Sequence, residues 1–409
     1  KCRTSKSSRG FNIQRMKKLQ EDFLKFQAKT TPYPLGIVVD HAKGSYVYDT
    51  NGKAYLDFIA GVSACSVGHC HPNVVEAIKT QAERYLHVMV YGEFAQEPAI
   101  DLAKELAAEL PESLGVTYLV NSGTEAIEGA LKLAKRVTGR GELIAAHNAY
   151  HGSTHGALSL LGAEQQKKAY RPLLPGIQFI KFNDTGDLNK ITTKTAAVLL
   201  ETLQGGAGFI VPQNDYLKKV KERCKAVGAL LILDEIQPGF GRTGKLFGFQ
   251  HYDVVPDILV MGKGMGGGLP IGAFSSSAAH MNHLTENPKL GHITTFGGNA
   301  IIASAALATL RSLKEEQLIE AVAEKEKLFR SLLKHPRIKQ INGTGLMLAP
   351  IFETEEIANT VVLKSMEKGL LLFWLLWEKK AVRISPPLTI SLEEIRNGCA
   401  IISEVLDSI

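Results

Sequence analysis

Residues Ile258–Gly272 read ILVMGKGMGGGLPIG, and the fold turns on the reading of this stretch. Four apolar residues, Ile258–Met261, stop at Gly262-Lys263-Gly264. The run is too short for a helix and is bounded by breakers, so it reads as a buried strand. Lys263 then stands just past the carboxyl end of that strand, in a loop with few side chains to crowd it. The ordinary reading of such a lysine is a surface charge. A lysine whose ε-amine must receive a bulky ligand needs this kind of space. Gly262, Gly264 and Gly267 also match the G-x-G-x-x-G dinucleotide fingerprint, with Glu286 as the candidate ribose carboxylate. That motif should open a helix, however, and Gly268-Leu269-Pro270 ends one within a turn.

Outward from this stretch the pattern is strand, loop, helix, repeated from residue 115 to about 275. Val116–Val120, Glu142–Ala146, Ile177–Phe182, Ala196–Leu200, Ala229–Leu233 and Ile258–Met261 are short apolar runs. Helical segments such as Thr124–Arg136 and Tyr216–Val227 lie between several of them. Continuous apolarity means strands covered on both faces, hence an α/β fold with a mostly parallel sheet between helix layers. Before this region come an amphipathic helix within 12–30, a hairpin over Gly44–Asp57 turning at Asn51-Gly52, and helices at Pro72–Arg84 and Ala99–Glu109. After it, Ala300–Leu313 and Gln317–His335 read as helices. Ile338–Ile351, the helix Glu355–Lys368, a strand over Leu370–Leu376 and the helix Leu392–Asp407 read as a smaller α+β domain. The expected division is 1–60 as an N-terminal segment packing with the small domain, 61–305 as the large domain and 306–409 as the small domain.

Composition narrows the function. The 409 residues suffice for two domains, and the net charge of +6 is modest and spread out. Only the first eighteen residues are conspicuously basic, which suits a solvated end better than a nucleic-acid arm. Five cysteines without a framework of spacings suit a reducing compartment, so a cytoplasmic location is expected. Gly68-His69-Cys70-His71-Pro72 has no second ligand cluster, so no metal is expected. No apolar run reaches the length of a membrane span, and no signal peptide is visible.

Ligands of open parallel sheets bind beyond the carboxyl ends of the strands. There stand Asn121-Ser122-Gly123-Thr124, His147–Gly152, Glu201, Asp234-Glu235 and Gly262-Lys263. Ser122, Gly123 and Thr124 open an amphipathic helix, which makes them an N-cap and also a seat for phosphate. Asp234, after five apolar residues, is costly there unless it meets a cation. That cation is either an arginine such as Arg242 in a structural ion pair, or the protonated nitrogen of a heterocycle. A phosphate seat, an acid for a ring nitrogen and a lysine with room around it are the parts a pyridoxal 5′-phosphate (PLP) enzyme needs. Lys263 forms the Schiff base with the aldehyde, Asp234 keeps the ring nitrogen protonated, and Tyr150 covers one ring face.

With these residues in view the sequence resembles the class III (ω-amino acid) aminotransferases of PLP fold type I. The likeness runs from about Pro34 to the C-terminus. It rests on NSGTEA (Asn121–Ala126), AYHG (Ala149–Gly152), LDEIQPGFGRTG (Leu233–Gly244), PDILVMGKGMGGGLPIGA (Pro256–Ala273), TTFGGN (Thr294–Asn299), GTGLML (Gly343–Leu348) and RISPPLTIS (Arg383–Ser391). The resemblance implies further roles. His151 joins the cofactor contacts, Ile236 packs on the second ring face and Gln237 bonds the ring hydroxyl. Thr295 reaches the phosphate of a neighbouring subunit, so a homodimer with shared sites is implied. Arg383 clamps a substrate α-carboxylate, and Glu201 pairs with that arginine when a terminal amine is bound. The implied reaction is ping-pong transfer of a terminal amino group from ornithine, acetylornithine, GABA or putrescine to 2-oxoglutarate.

One position departs from the pattern. Relatives that take donors with a far carboxylate usually carry arginine directly after the aromatic-His-Gly motif, and here Ser153 stands there. Arg140 and Arg171 are near in sequence but do not match the position. A donor without a far carboxylate, such as putrescine, is therefore expected, unless another residue supplies the cation. The competing readings are a PLP-dependent lyase, mutase or racemase on the same fold, a dinucleotide-dependent oxidoreductase, and a non-catalytic binding protein.

Overall fold

Seven strands form the central sheet of the computed structural model, which describes residues 5–409, with side chains from Gln14 onward. The strands are β1 (Val116–Val120), β2 (Glu142–Ala146), β3 (Ile177–Ile180), β4 (Thr195–Glu201), β5 (Leu230–Asp234), β6 (Ile258–Gly262) and β7 (Gly272–Ser276). Their order across the sheet is β1-β7-β6-β5-β4-β2-β3. Pairs β2–β3, β2–β4, β4–β5 and β5–β6 are parallel, whereas β7 runs antiparallel to both β1 and β6. Every residue of β4, β5 and β6 is buried. That is why those parallel strands read as unbroken apolar runs.

Strand β7 is the element that apolar periodicity does not reveal. Its second half is polar, yet Ser275 and Ser276 are fully buried. Ser275 Oγ meets Thr117 Oγ1 at 2.7 Å, and Ser276 Oγ donates to the carbonyl of Asp257 at 2.6 Å. Paired hydroxyls remove most of the cost of burial. The close fit of β7 also depends on Gly272, where a Cβ would stand 2.0 Å from the carbonyl oxygen of Ser122.

The helix Gly123–Thr138 covers one face of the sheet. Ser122 Oγ accepts from Glu125 N–H at 3.3 Å, and Gly139 ends the helix in the left-handed region at φ 68°. Thr124 plays no part in the cap, and Glu128 instead accepts from Thr154 Oγ1 and Ala157 N–H. Ala126, Ile127, Ala130, Leu131 and Ala134 are buried against the strands. The helices Pro72–Arg84, Glu97–Glu109 and Ala300–Glu315 pack together elsewhere in the molecule.

The N-terminal hairpin joins Tyr46–Asp49 to Ala54–Asp57, and Leu56-Asp57 pairs in parallel with Leu370-Leu371. Ile338–Thr344 and Met347–Phe352 make a second antiparallel pair. The expected strand Leu370–Leu376 divides in two. Leu370-Leu371 joins the hairpin sheet, whereas Phe373-Trp374 pairs with Val382-Arg383. The expected helix Gln317–His335 is shorter, at Val322–Leu332, with turns before it. The N-terminal helix spans Ser5–Phe26. Lys1, Cys2 and Arg3 lie outside the described residues. Among the described residues Cys65, Cys70, Cys224 and Cys399 are free and no metal-ligating cluster occurs. No described helix is long and apolar enough to cross a membrane.

The approach of helix Gly123–Thr138 to β7 gives a test. A Cβ on Gly129 would meet the Phe274 ring at 2.3 Å, and that ring is fully buried. Gly129→Ala should destabilise by about 1–3 kcal/mol through overpacking, although alanine favours the helix itself. Gly141→Ala, where a Cβ meets nothing within 4 Å, serves as the control. Urea midpoints measure both; an unchanged midpoint for Gly129→Ala would mean that Phe274 moves aside without cost.

Candidate active site

A pocket of about 440 Å³ opens at the carboxyl edge of the central sheet. Gly123 and Thr124 reach it from the turn after β1, and Tyr150, His151, Gly152 and Ser153 from the loop after β2. Glu201 and Asp234 come from the ends of β4 and β5, followed by Ile236 and Gln237, and Lys263 follows β6. Arg383 enters from the short ladder with Phe373-Trp374. The fold thus gathers residues remote in sequence because parallel strands all end on one edge.

Lys263 is half-buried at φ 45°, in a single 3₁₀ turn, Lys263–Gly266, that leads into β7. No long helix follows the glycines, so the dinucleotide reading of Gly262, Gly264 and Gly267 fails for want of the helix end that would hold a pyrophosphate. Gly264 sits where a Cβ would stand 2.3 Å from Ser66 Oγ, so the loop has no room for a larger residue. Lys263 Nζ has no hydrogen-bond or ion-pair partner among the described residues. Burial and the Arg383 charge push its pKa down to about 8, against the opposing pull of Asp234 and Glu201.

Asp234 is 3 % exposed. His151 Nδ1 donates to its Oδ2 at 2.8 Å, and Ile236 N–H donates to its Oδ1 at 2.9 Å. The ion pair with Arg242 considered from sequence does not form. Arg242 is fully buried and turns away, donating from Nη1 to the carbonyls of Leu346 and Pro386. It ties the segment after β5 to two distant backbone segments, while Asp234 faces the pocket. The next residue, Glu235, accepts from Thr202 Oγ1, Gly248 N–H and Phe249 N–H. Burial still raises its pKa to about 7.

Glu201 and Arg383 line the same pocket but are not paired with each other. Glu201 Oε1 accepts from Gly205 N–H at 2.9 Å and Oε2 from Tyr150 N–H at 3.3 Å. Burial lifts its pKa to about 7, with the His151 charge opposing and Asp234 adding to the rise. Arg383 is 5 % exposed, and its Nε and Nη1 are buried without partners. Its guanidinium lies 5.7 Å from the Phe209 ring centroid. A buried guanidinium with two unused donors is costly as it stands and suits a carboxylate arriving from outside.

Tyr150 is exposed at the pocket, and its hydroxyl meets Ser153 Oγ at 3.2 Å. Gln237 Nε2 donates to Ser63 Oγ at 3.3 Å. Gly152 at φ 133° lets Thr124 approach, since a Cβ there would stand 2.2 Å from Thr124 Oγ1. Ser122 caps the helix just behind this wall. Thr295 is exposed outside the pocket, beside Thr294, whose Oγ1 accepts from Asn121 Nδ2 at 2.8 Å. Neither alternative arginine reaches the site: Arg140 holds the carbonyls of Thr195, Val227 and Gly228, and Arg171 pairs with Glu164 on the surface. Val62, Gly206, Phe373, Trp374 and Leu376 also line the pocket and were missed by sequence reasoning. The dense apolar run Leu370–Trp377 was the one available signal.

A family model for class-III aminotransferases matches residues 26–406. An acetylornithine aminotransferase of Caldanaerobacter subterraneus is 39 % identical over 92 % of this chain and 96 % of its own. A putrescine aminotransferase of Pectobacterium atrosepticum is 40 % identical over 91 % of this chain and 83 % of its own. Among solved structures, the ornithine aminotransferase of Toxoplasma gondii superposes with a TM-score of 0.89 at 33 % identity, covering 96 % of this chain and 95 % of that one. A second structure of an ornithine aminotransferase from that organism is described with PLP at the active site. The chain belongs to the class-III aminotransferases: it is a PLP-dependent enzyme of fold type I.

The depressed pKa of Lys263 has a consequence for cofactor capture. Only the neutral amine attacks an aldehyde, and a group titrating near 8 is mostly neutral above that pH. Capture of PLP by cofactor-free protein, followed by absorbance, should accelerate about fivefold from pH 7 to 8 and about twofold from pH 8 to 9. A tenfold rise per unit continuing past pH 9 would mean an ordinary lysine.

Proposed function

We propose that the enzyme moves a terminal (ω) amino group from a donor such as putrescine, GABA, ornithine or acetylornithine to 2-oxoglutarate, and that donors without a far carboxylate are favoured. One observation carries the preference. The basic residues among the described lining of the pocket are Lys263, Arg383 and His151, and Ser153 follows the Tyr150-His151-Gly152 segment. The 40 % identical relative named putrescine aminotransferase supports the same reading.

The residues fit the cofactor. The first amides of the helix Gly123–Thr138 have no intrahelical acceptor and favour an anion at Gly123 and Thr124 beside Ser122. The Asp234 carboxylate, fixed by His151 and Ile236, is placed to face a ring nitrogen. Tyr150 and Ile236 offer the two faces of a slot, and Gln237 a side-chain amide for a ring hydroxyl. When bound, PLP supplies an aldehyde that captures amines and a ring that withdraws electrons from the substrate carbon. Lys263 Nζ first holds the cofactor. Its neutral amine would be the base placed to remove the proton from the carbon bearing the amine. Arg383 holds the α-carboxylate of 2-oxoglutarate, and Glu201 is the partner that would neutralise Arg383 when a donor without that carboxylate is bound.

The working unit is proposed to be a cytoplasmic homodimer in which Thr295 contacts the partner's cofactor phosphate. Leu290, Ile293 and Phe296 around Thr295 are exposed in the single chain, as a surface covered on association would be.

A donor screen with 2-oxoglutarate tests the proposal; acetylornithine outpacing putrescine would reverse the stated preference. Ser153→Arg should raise the acetylornithine-to-putrescine ratio of kcat/KM about tenfold to a hundredfold, the size of one charge-assisted hydrogen bond. An unchanged ratio would place Ser153 outside the donor's reach. Asp234→Ala should lower kcat by at least about a hundredfold, as loss of a preorganised charge does. Near-normal turnover would remove Asp234 from its assigned role.

A further inference from the structure

The segment Leu370–Trp377 supplies a wall of the pocket to which the roles above assign nothing. Its residues alternate between pinned and free. Trp374 Nε1 donates to Asn359 Oδ1 at 2.7 Å. Leu375 is buried in a small cluster with Phe209, Met347 and Ala381. Trp377 N–H donates to the carbonyl of Gly206 at 2.9 Å. Phe373, just before these anchors, and Leu376, between the last two, are left 39 % and 50 % exposed, and both line the pocket.

The two free side chains mark the ends of a strip. Phe373 pairs directly with Arg383 across the antiparallel ladder. The two side chains therefore share a face, with Cβ atoms about 5 Å apart. Leu376 abuts the loop that follows Glu201, since a Cβ on Gly206 would stand 3.3 Å from Leu376 Cβ. An apolar strip thus runs from beside the guanidinium to beside the Glu201 loop. Holding a phenylalanine and a leucine toward water on a fixed frame forgoes hydrophobic free energy that a bound alkyl chain recovers.

We infer that Phe373 and Leu376 are specificity-determining residues that pack against the aliphatic chain of the amine donor, with Asn359 as a positioning residue acting through Trp374. The inference rests on the ω-amine reading above and adds to it that donors are graded by their number of methylenes. A charge placed partway along the donor chain meets no partner on this strip and is selected against.

Two measurements on the holoenzyme test it. The first is kcat/KM with 2-oxoglutarate for linear primary amines from propylamine to hexylamine. It should rise about fourfold per methylene, the value of one buried CH₂. Phe373→Ala should cut the rise below about twofold, and Phe373→Leu should retain it. Asn359→Ala should flatten the rise as well, mainly through KM, and Asn359→Asp, which keeps the acceptor oxygen, should restore it. The second needs no turnover. Trp374 and Trp377 are the only tryptophans of the chain, so tryptophan emission reports on this strip. Linear alkanoates from butanoate to octanoate, with the carboxylate on Arg383, should shift the emission with Kd falling about fourfold per methylene, and Phe373→Ala should flatten that series. A flat wild-type series, or equal slopes in wild type and Phe373→Ala, overturns the inference while leaving the ω-amine reading in place. No turnover by the wild-type holoenzyme of these amines or of putrescine, GABA, ornithine or acetylornithine, with the alkanoate series intact, sinks the ω-amine reading and leaves the apolar strip as a binding surface for other chains.

Discussion

A carboxylate at the end of a fully buried strand must be compensated, and Asp234 shows how this protein does it. Its two oxygens are held by His151 Nδ1 and Ile236 N–H. Neither donor is a lysine or arginine, so the carboxylate faces the pocket without a permanent cationic partner. Arg242, the strongest nearby candidate to cancel that charge, is drawn into backbone carbonyls instead. If Arg242 neutralised Asp234, the pocket would lose the charge that a protonated ring nitrogen needs. The same site holds a second buried carboxyl, Glu201, and two basic groups, Lys263 and Arg383, whose pKa values fall to about 8 and about 10 through burial. Titratable groups pushed away from their ordinary values in one cleft are the physical signature of a reactive site.

The precision of this arrangement comes from close backbone approaches. Gly272 lies against Ser122, Gly152 against Thr124 and Gly264 against Ser66, each without room for a side chain. These contacts bring the turn at Ser122–Thr124, the Tyr150-His151-Gly152 loop and the lysine loop into one rigid body. The antiparallel strand β7 is part of that construction, because it returns the chain from the lysine loop to the side of β1. Close packing accounts for the glycines near Lys263, and no pyrophosphate is needed to explain them.

Much of this was legible in the residues. β1 and β2, the helix Tyr216–Val227 and the terminal helix Leu392–Asp407 agree with their apolar patterns end to end. The groups at the strand ends were also legible, since a parallel sheet admits one ligand edge. The misses share a cause. β7 hides because its serines are satisfied by specific partners rather than exposed. Leu370–Leu376 looked like one strand because apolarity does not record which neighbour each residue pairs with. The bonds from Glu201 to the Tyr150 and Gly205 amides were not legible either, because a list of side chains does not contain backbone donors.

The sequence by itself determined the fold class and singled out Lys263 and Asp234 as the candidate pair, and the departure at Ser153 became visible against the family the sequence resembles. The fold class and the candidate pair follow from local apolar patterns and from side-chain chemistry, which are properties of residue order. Only the tertiary structure decided which charges meet. Arg242 leaves Asp234, Glu201 stands apart from Arg383, and Phe373 comes to lie beside the guanidinium. Such pairings depend on contacts between segments more than a hundred residues apart in several cases, where partners are chosen by packing geometry and not by the identity of either residue alone.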